Sequence, residues 1–431
     1  MSAPRKGIFR SLNGFNYRMW AGGALISNIG TWMQRIALNW LVLTQLTHNN
    51  ATIVGMVMAL QFGPHILLLP WTGFAADRLD RRKLLIGTQA GMGALALALG
   101  MLTIAGQVQL WQVYVIAFAQ GCVTAFDAPA RHTFVAELVG DADLANAVAL
   151  NSTSFNAGRM IGPAIAGVLI AAIGCGWVFA INAASFGAVL ASLSLLRLGE
   201  LHPNTRAVRT RGSLGEGFRY VWSRPDLLAI LLMLFLIGTF GLNFSIFIPT
   251  MSVAVFHAGA GQYGLLMSIM ATGTIAGALL AAGREKPHIG LLLVGAAIFG
   301  LGCALAAIAP NYWLFGLALV VIGIAALTFT NSTNSLMQLS TEPVMRGRVM
   351  AIRLAIALGG TPIGAPIVGW VADRFGPRWA LAVGAAAGFA AAVVAIQYLR
   401  KYQGLRVGAD SGRPRFSIDG PDLAAAERKS A

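Results

Sequence analysis

Asn28, Thr31 or Trp32, Arg35 and Asn39 recur at three- and four-residue spacing, which lines up one polar, aromatic-edged stripe on a single helix face. These residue types bind rather than cut: a guanidinium supplies charge and a planar fork of donors, the amides add hydrogen bonds, and the indole adds a flat apolar surface. A cation in apolar surroundings costs several kcal/mol unless it meets water or a partner, so Arg35 is expected to face an interior. Two roles stay open for it: a ligand contact or gating ion pair, and a structural hydrogen-bonding role between helices. A second group, Gly73-Phe-Ala-Ala-Asp77-Arg78-Leu-Asp80-Arg81-Arg82-Lys83, places carboxylates among arginines after a glycine, as a charge network at a dielectric boundary would require. A third, Gly158-Arg-Met-Ile-Gly162-Pro163-Ala-Ile-Ala166-Gly167, spaces small residues four and five apart. That spacing lets helices approach closely, and the proline weakens the backbone ladder; generic helix packing is the competing explanation.

Other chemistries find no support. There is no nucleophile–base pair, metal-ligand cluster or phosphate-cradling loop, so neither an enzyme nor ATP drive is expected, and no cofactor or metal is called for. Cys122, Cys175 and Cys303 lie in or beside apolar stretches without ligand spacing and are expected to be unbridged. His65 follows Pro64 and suits a packing role better than a titrating one.

The elements that must carry these residues follow from where charge is missing. No Asp, Glu, Lys or Arg occurs between Lys83 and Asp127, Arg159 and Arg197, Asp226 and Arg284, or Lys286 and Glu342. At roughly 20 residues per crossing, each gap holds one or two membrane helices. With 57% hydrophobic and 11% charged residues, a soluble domain could not cover its own surface. Continuous apolar runs without alternation specify helices, not a barrel. Breaks between these runs divide the chain into twelve helices, which puts both termini on one side. Of 31 basic residues, 26 fall in the tails and the even-to-odd loops, and the positive-inside rule makes that side the cytoplasm. The net charge of +15 is therefore a topology signal, and nucleic-acid binding is not expected.

A shift of 202 residues places Gly162 on Gly364, Ile165 on Ile367, Gly167 on Gly369, Gly174 on Gly376 and Trp177 on Trp379. Two six-helix bundles are expected, at 21–196 and 226–402, joined by a basic cytoplasmic linker at 197–225. In the linker, Leu214, Phe218 and Trp222 are spaced for a helix lying on the membrane. Residues 1–20 form a basic amphipathic segment with Ile8, Leu12 and Phe15 on one face, and 403–431 read as a disordered cytoplasmic tail.

On these motifs the chain resembles the major facilitator superfamily. Gly73, Asp77, Arg78, Arg81 and Arg82 match its loop 2–3 signature, G-x-x-x-D-R-x-G-R-R, with Asp80 in place of the internal glycine. Gly158, Gly162, Pro163 and Gly167 match its helix 5 signature, g-x-x-x-G-P-x-x-G-G, with Ala166 for one glycine; the resemblance associates that pattern with antiporting exporters. Two family features are missing: Ala117 stands where many proton antiporters carry an arginine four residues before Gly121, and Ala281 replaces the aspartate of the loop 8–9 latch. The stretch Ile29 to Leu43 with Leu46-Thr47 is similar to the branch of enterobactin exporters and secretion-effector permeases.

What the resemblance implies is a secondary transporter exporting a small amphipathic or apolar compound across the inner membrane, in exchange for protons and as a monomer. Alternating access would have its gate and coupling residues at Gly73, Asp77, Arg78, Arg81, Arg82, Asp127, Gly158, Gly162, Pro163 and Gly167. Helices 1, 4, 7 and 10 would line the cavity, offering Trp32, Arg35 and Asn39 with Phe118, Gln120, Phe240, Asn243, Phe244, Phe247 and Phe329. A wall so aromatic and poor in charge favours planar apolar or neutral-to-anionic ligands. No Asp or Glu lies deep in a helix, which leaves Asp127 and Asp77 as the nearest proton carriers. The rivals are a nutrient importer or uniporter of the same fold, and a sensor or scaffold without transport.

Overall fold

The computed structural model describes residues 7–202, 214–282, 288–402, 405–410 and 413–418. Its helices in chain order are α1 (Phe15–Trp40), α2 (Ala51–Leu67), α3 (Arg81–Ile104), α4 (Leu110–Val139), α5 (Asp141–Ile173), α6 (Cys175–Ser194), α7 (Pro225–Leu236), α8 (Ala260–Ala282), α9 (Ile289–Ile308), α10 (Tyr312–Ser340), α11 (Pro343–Phe375) and α12 (Pro377–Tyr402). The first helix runs on through a π turn at Leu41–Leu46, and the seventh through a broken stretch to Val255. After a break at Leu68, the second continues as Leu69–Arg78.

Ten of the twelve, α3 to α12 with α7 counted through its extension to Val255, are long and apolar enough to cross a membrane. The exceptions are instructive. The polar stripe lowers the hydropathy of α1, and Pro64 divides α2 one turn before Leu68 by removing a backbone donor. The architecture is an all-α polytopic one of two six-helix bundles, α1–α6 and α7–α12.

Loops at 47–50, 105–109, 174, 256–259, 309–311 and 376 lie on one face, here the odd-loop face; those at 79–80, 140, 195–202, 223–224 and 341–342 lie on the other. Trp111, Trp177, Trp313 and Trp379 open α4, α6, α10 and α12, each more than half exposed, as an interfacial belt around the odd-loop face.

Two seams join the bundles, and small residues build both. On one, a Cβ added at Gly369 of α11 would come 2.5 Å from the Ala51 carbonyl at the start of α2, and one at Gly55 would come 2.4 Å from the Ala365 carbonyl. On the other, a Cβ at Gly167 of α5 would meet the Ala260 carbonyl at 2.8 Å, and one at Gly264 the Pro163 carbonyl at 2.3 Å. Gly167 and Gly369, matched by the 202-residue shift, thus do the same job on opposite seams. On the first seam the Asp373 carboxylate at the end of α11 also accepts from the Ala51 and Thr52 amides at 2.7 and 2.8 Å, capping α2 from the other bundle.

Three details depart from expectation. The amphipathic N-terminal segment is a 3-10 turn at Arg10–Asn13 rather than a surface helix, because Ser11 bonds Asn146 at 2.7 Å and Arg10 pairs with Asp143 at 2.9 Å, pinning it to α5. The tail contains an antiparallel hairpin, β1 (Leu405–Asp410) with β2 (Arg413–Ile418), where disorder was expected; its remaining residues lie outside the description. Arg378, a cation on the face that should be poor in them, donates to the Ala307 and Ala309 carbonyls at 2.9 and 3.1 Å and so closes the C-terminus of α9. The linker does form a helix at Leu214–Trp222, with Phe218 and Trp222 exposed and Glu216 paired to Arg348 at 2.8 Å; residues 203–213 lie outside the description. The three cysteines are free.

Candidate functional site

The α1 stripe divides between two cavities. Arg35 stands at their junction, half-buried, with its guanidinium carbon 4.6 Å from the centroid of Trp32 and 5.8 Å from that of Phe62. One cavity, of about 150 Å³, lies inside the first bundle: Gln34, Gln61, His65, Gln120, Thr124 and Asn182 line it with Arg35, beside Leu38, Phe62, Met92 and Phe186. The second, of about 140 Å³, lies between the bundles: α1 contributes Trp32 and Arg35, α5 Arg159, α7 and its extension Phe244 and Ser245, and α8 Met267 and Met270.

Local structure explains why α1 can present these groups. Gly30 packs against α6, where a Cβ would lie 2.4 Å from Asn182 Oδ1, and the Asn182 amide in turn bonds Gln34. That polar buttress fixes the rotation of α1, so Trp32 faces away from α6 and Arg35 stands at the edge of the cavity it shares with Asn182. Phe155 meets Trp32 edge-on at 5.7 Å and holds the indole from the α5 side.

Of the binding residues expected from sequence, Trp32, Arg35 and Phe244 come together at the inter-bundle cavity. The others are placed elsewhere. Asn39 is buried toward the odd-loop face, one residue before Trp40, which stacks on Tyr263 of α8 at 5.8 Å. Asn243 donates to the Thr239 carbonyl of its own broken helix at 2.7 Å, and Phe240 packs edge-on against Phe235. Phe247 and Phe329 are sealed in the core, and Phe118 is 45% exposed on the outside. Sequence reasoning missed Arg159 as a partner of the stripe. Its signal was available, a second lone cation in an apolar run, but the α1–α5 crossing that brings it to Trp32 was not.

The small residues of α5 also divide. A Cβ at Gly162 would lie 2.7 Å from Trp32 Cβ, and one at Gly158 would lie 2.9 Å from the Asn28 backbone, so both serve α1 within the first bundle. Gly167 and the Pro163 carbonyl face the seam, as does the Met160 carbonyl, which accepts from Ser268 of α8 at 2.8 Å.

At the even-loop face, Asp127 of α4 is buried and accepts from Thr88 at 2.8 Å and Gln89 at 2.7 Å, with Arg131 one turn on at 3.1 Å. Arg81 pairs with Glu137, and Arg82 donates to the Leu193 carbonyl at 2.8 Å. Arg131 and Glu137 are thus network members that the sequence reading did not name. Arg78 is exposed; the surroundings of Gly73 and the side chain of Asp77 lie outside the description, as do Arg284 and Lys286 of the loop after α8.

Two bundles related by an internal repeat, meeting across a cavity at mid-length, define a membrane transporter of the major facilitator type. The chain belongs to the transmembrane secretion effector family, whose model matches residues 5–417. Its relatives include macrolide efflux protein A of Streptococcus pyogenes, 25% identical over 84% of this chain and 90% of that one. The staphyloferrin A transporter of Staphylococcus aureus is 26% identical over 81% and 87%. An enterobactin exporter of Shigella flexneri is 26% identical over 82% and 84%. Among solved structures, the fold matches an inward-facing bacterial homologue of the lysosomal transporter Spinster with a TM-score of 0.69, at 15% identity over 89% of this chain and 95% of that one. It also matches a nucleoside transporter with a TM-score of 0.70, at 13% identity over 90% and 100%. The chain is a multi-pass membrane transporter of small compounds, not an enzyme.

Proposed function

We propose that the chain exports a small, planar, amphipathic compound across the inner membrane by alternating access, in exchange for protons, as a monomer with both termini in the cytoplasm. The observation that carries this is the inter-bundle cavity at Trp32, Arg35 and Phe244, which rocking of one bundle against the other would expose to either face in turn. The seams at Gly167 and Gly369 support a state closed toward the odd-loop face. The names of the macrolide efflux and enterobactin exporter relatives support outward movement. For coupling, Asp127 is the proposed carrier: among the described residues it is the buried carboxylate of the first bundle, and it pairs with Arg131.

The test uses cells loaded either with rhodamine 6G or with fluorescein released from its diacetate. Expression of the chain should speed loss of at least one dye, and a protonophore should abolish the gain. Concentrative uptake of a polar nutrient, with dye loss unchanged, would establish the importer instead.

A further inference from the structure

Arg35 and Arg159 approach the same indole ring, at 4.6 and 5.7 Å from the Trp32 centroid, and both open onto the inter-bundle cavity. Among the described residues neither guanidinium makes a hydrogen bond or an ion pair. The third intramembrane arginine differs: Arg353 donates to the Thr330 carbonyl at 3.2 Å. Nor can a carboxylate reach the pair from the elements around it. The sequence has no Asp or Glu from 19 to 76, from 144 to 199 or from 227 to 284, which covers α1, all of α5 past its first turn, α7 beyond Asp226 and all of α8.

Magnitudes decide what this means. A cation–π contact returns less than the cost of holding an arginine at membrane depth, even on the most lenient scale for that cost. Two such cations, repelling each other, are not balanced by the shared indole and the more distant Phe62 ring. Resting on the transport reading above, we infer that the transported compound carries a delocalised anionic oxygen group, of the carboxylate, catecholate or sulfonate kind, which docks between Arg35 and Arg159. Two planar forks converging from different helices match such a group bidentately, and a point charge would not use them fully. Phe244, Met267 and Met270 cover the opposite wall and take the ligand's planar apolar part. Arg159 is then a specificity-determining residue, since one arginine would hold an anion but two exclude a cation.

The site draws on both α1 and α5 of one bundle and on α7 and α8 of the other, so an anion bound there also bridges the two bodies that must rock. An anionic lipid headgroup has the same chemistry, and the test separates the two sources. The full chain in phosphatidylcholine nanodiscs is titrated with fluorescein, an anion, and with rhodamine 6G, a cation on the same xanthene plane, and anisotropy is followed at fixed pH. Fluorescein should bind the wild type more tightly. Arg35→Gln and Arg159→Gln should each weaken it about tenfold to a hundredfold, with rhodamine 6G binding no weaker than before. Arg35→Lys should recover part of the loss. Overturning results are rhodamine 6G binding as tightly as fluorescein, no fluorescein binding, or unchanged affinity in Arg159→Gln. Displacement of fluorescein by phosphatidylglycerol added to the discs would also overturn it and assign the pair to lipid. Should both glutamine variants fail to give monodisperse protein, the wild-type comparison of the two dyes still decides. Export of rhodamine 6G but not fluorescein from cells would remove this inference and leave the export reading standing.

Discussion

Asp127 shows how a single residue links burial to mechanism. Thr88 and Gln89 both donate to one carboxylate oxygen and Arg131 to the other, so the group is satisfied as an anion. Asp127→Asn keeps an acceptor for α3 but leaves the Arg131 charge unpaired, at a cost of about 3–5 kcal/mol if the site stays closed to water and less if it opens. Membrane insertion should be intact and transport slowed, as measured by flux into proteoliposomes at matched protein; wild-type flux would contradict the coupling role. At Gly162 the expectation from sequence changes. A leucine there presses on Trp32 Cβ and the Ile29 carbonyl inside one bundle, so it should lower the thermal midpoint through about 1–3 kcal/mol of overpacking rather than jam the gate. A thermal shift in detergent checks this, and an unchanged midpoint would place the α1–α5 contact elsewhere. Arg35 was legible in the sequence because an isolated cation in an apolar run must be accounted for. The partners of Asp127 and Arg81 were not, since Thr88, Gln89 and Glu137 are chosen by the angle at which α3 and α4 cross.

Among the elements, α11 and α2 carry the conformational argument. Gly369-Trp-Val-Ala-Asp373-Arg374 repeats the G-x-x-A-D-R pattern of Gly73-Phe-Ala-Ala-Asp77-Arg78 at the far end of the other bundle. In the structure the second copy is engaged: Asp373 caps α2, and Thr52 Oγ1 adds a third bond at 2.5 Å. The second copy is harder to read from sequence, because Arg374 stands on the face that the positive-inside rule leaves poor in cations. A carboxylate cap contributes about 0.5–2 kcal/mol, and this one acts between bundles, so Asp373→Asn should shift the balance toward a state open at the odd-loop face. Leu43 is 1% exposed in the present closure and lines the cavity beside Asp373. In a background lacking the three native cysteines, Leu43→Cys should react with maleimide faster once Asp373→Asn is added. Equal rates would show that the seam glycines alone hold the face shut. Helices, breaks and the linker helix were readable from periodicity; the division of the α5 glycines between α1 and α8 was not, since spacing tells that a helix is approached but not by which neighbour.

For the whole molecule, charge gaps and the internal repeat were enough to specify two six-helix bundles. The aromatic belt at Trp111, Trp177, Trp313 and Trp379 is consistent with an odd-loop face at a membrane interface. Cysteines at Asn49, Gln107 or Asn311 should react with an impermeant maleimide from outside intact cells, and one at Ser340 should not; the reverse pattern would invert the orientation. The central claim is that movement through the Trp32–Arg35 cavity is outward and driven by protons. Its most direct test is flux of lucifer yellow, a planar anionic dye, in sealed liposomes containing the full chain in known orientation. With a pH gradient imposed, dye should accumulate against its own gradient in the direction opposite to the protons, and Arg35→Gln should abolish the accumulation. Dye that only equilibrates, or that moves with the protons, would contradict the account.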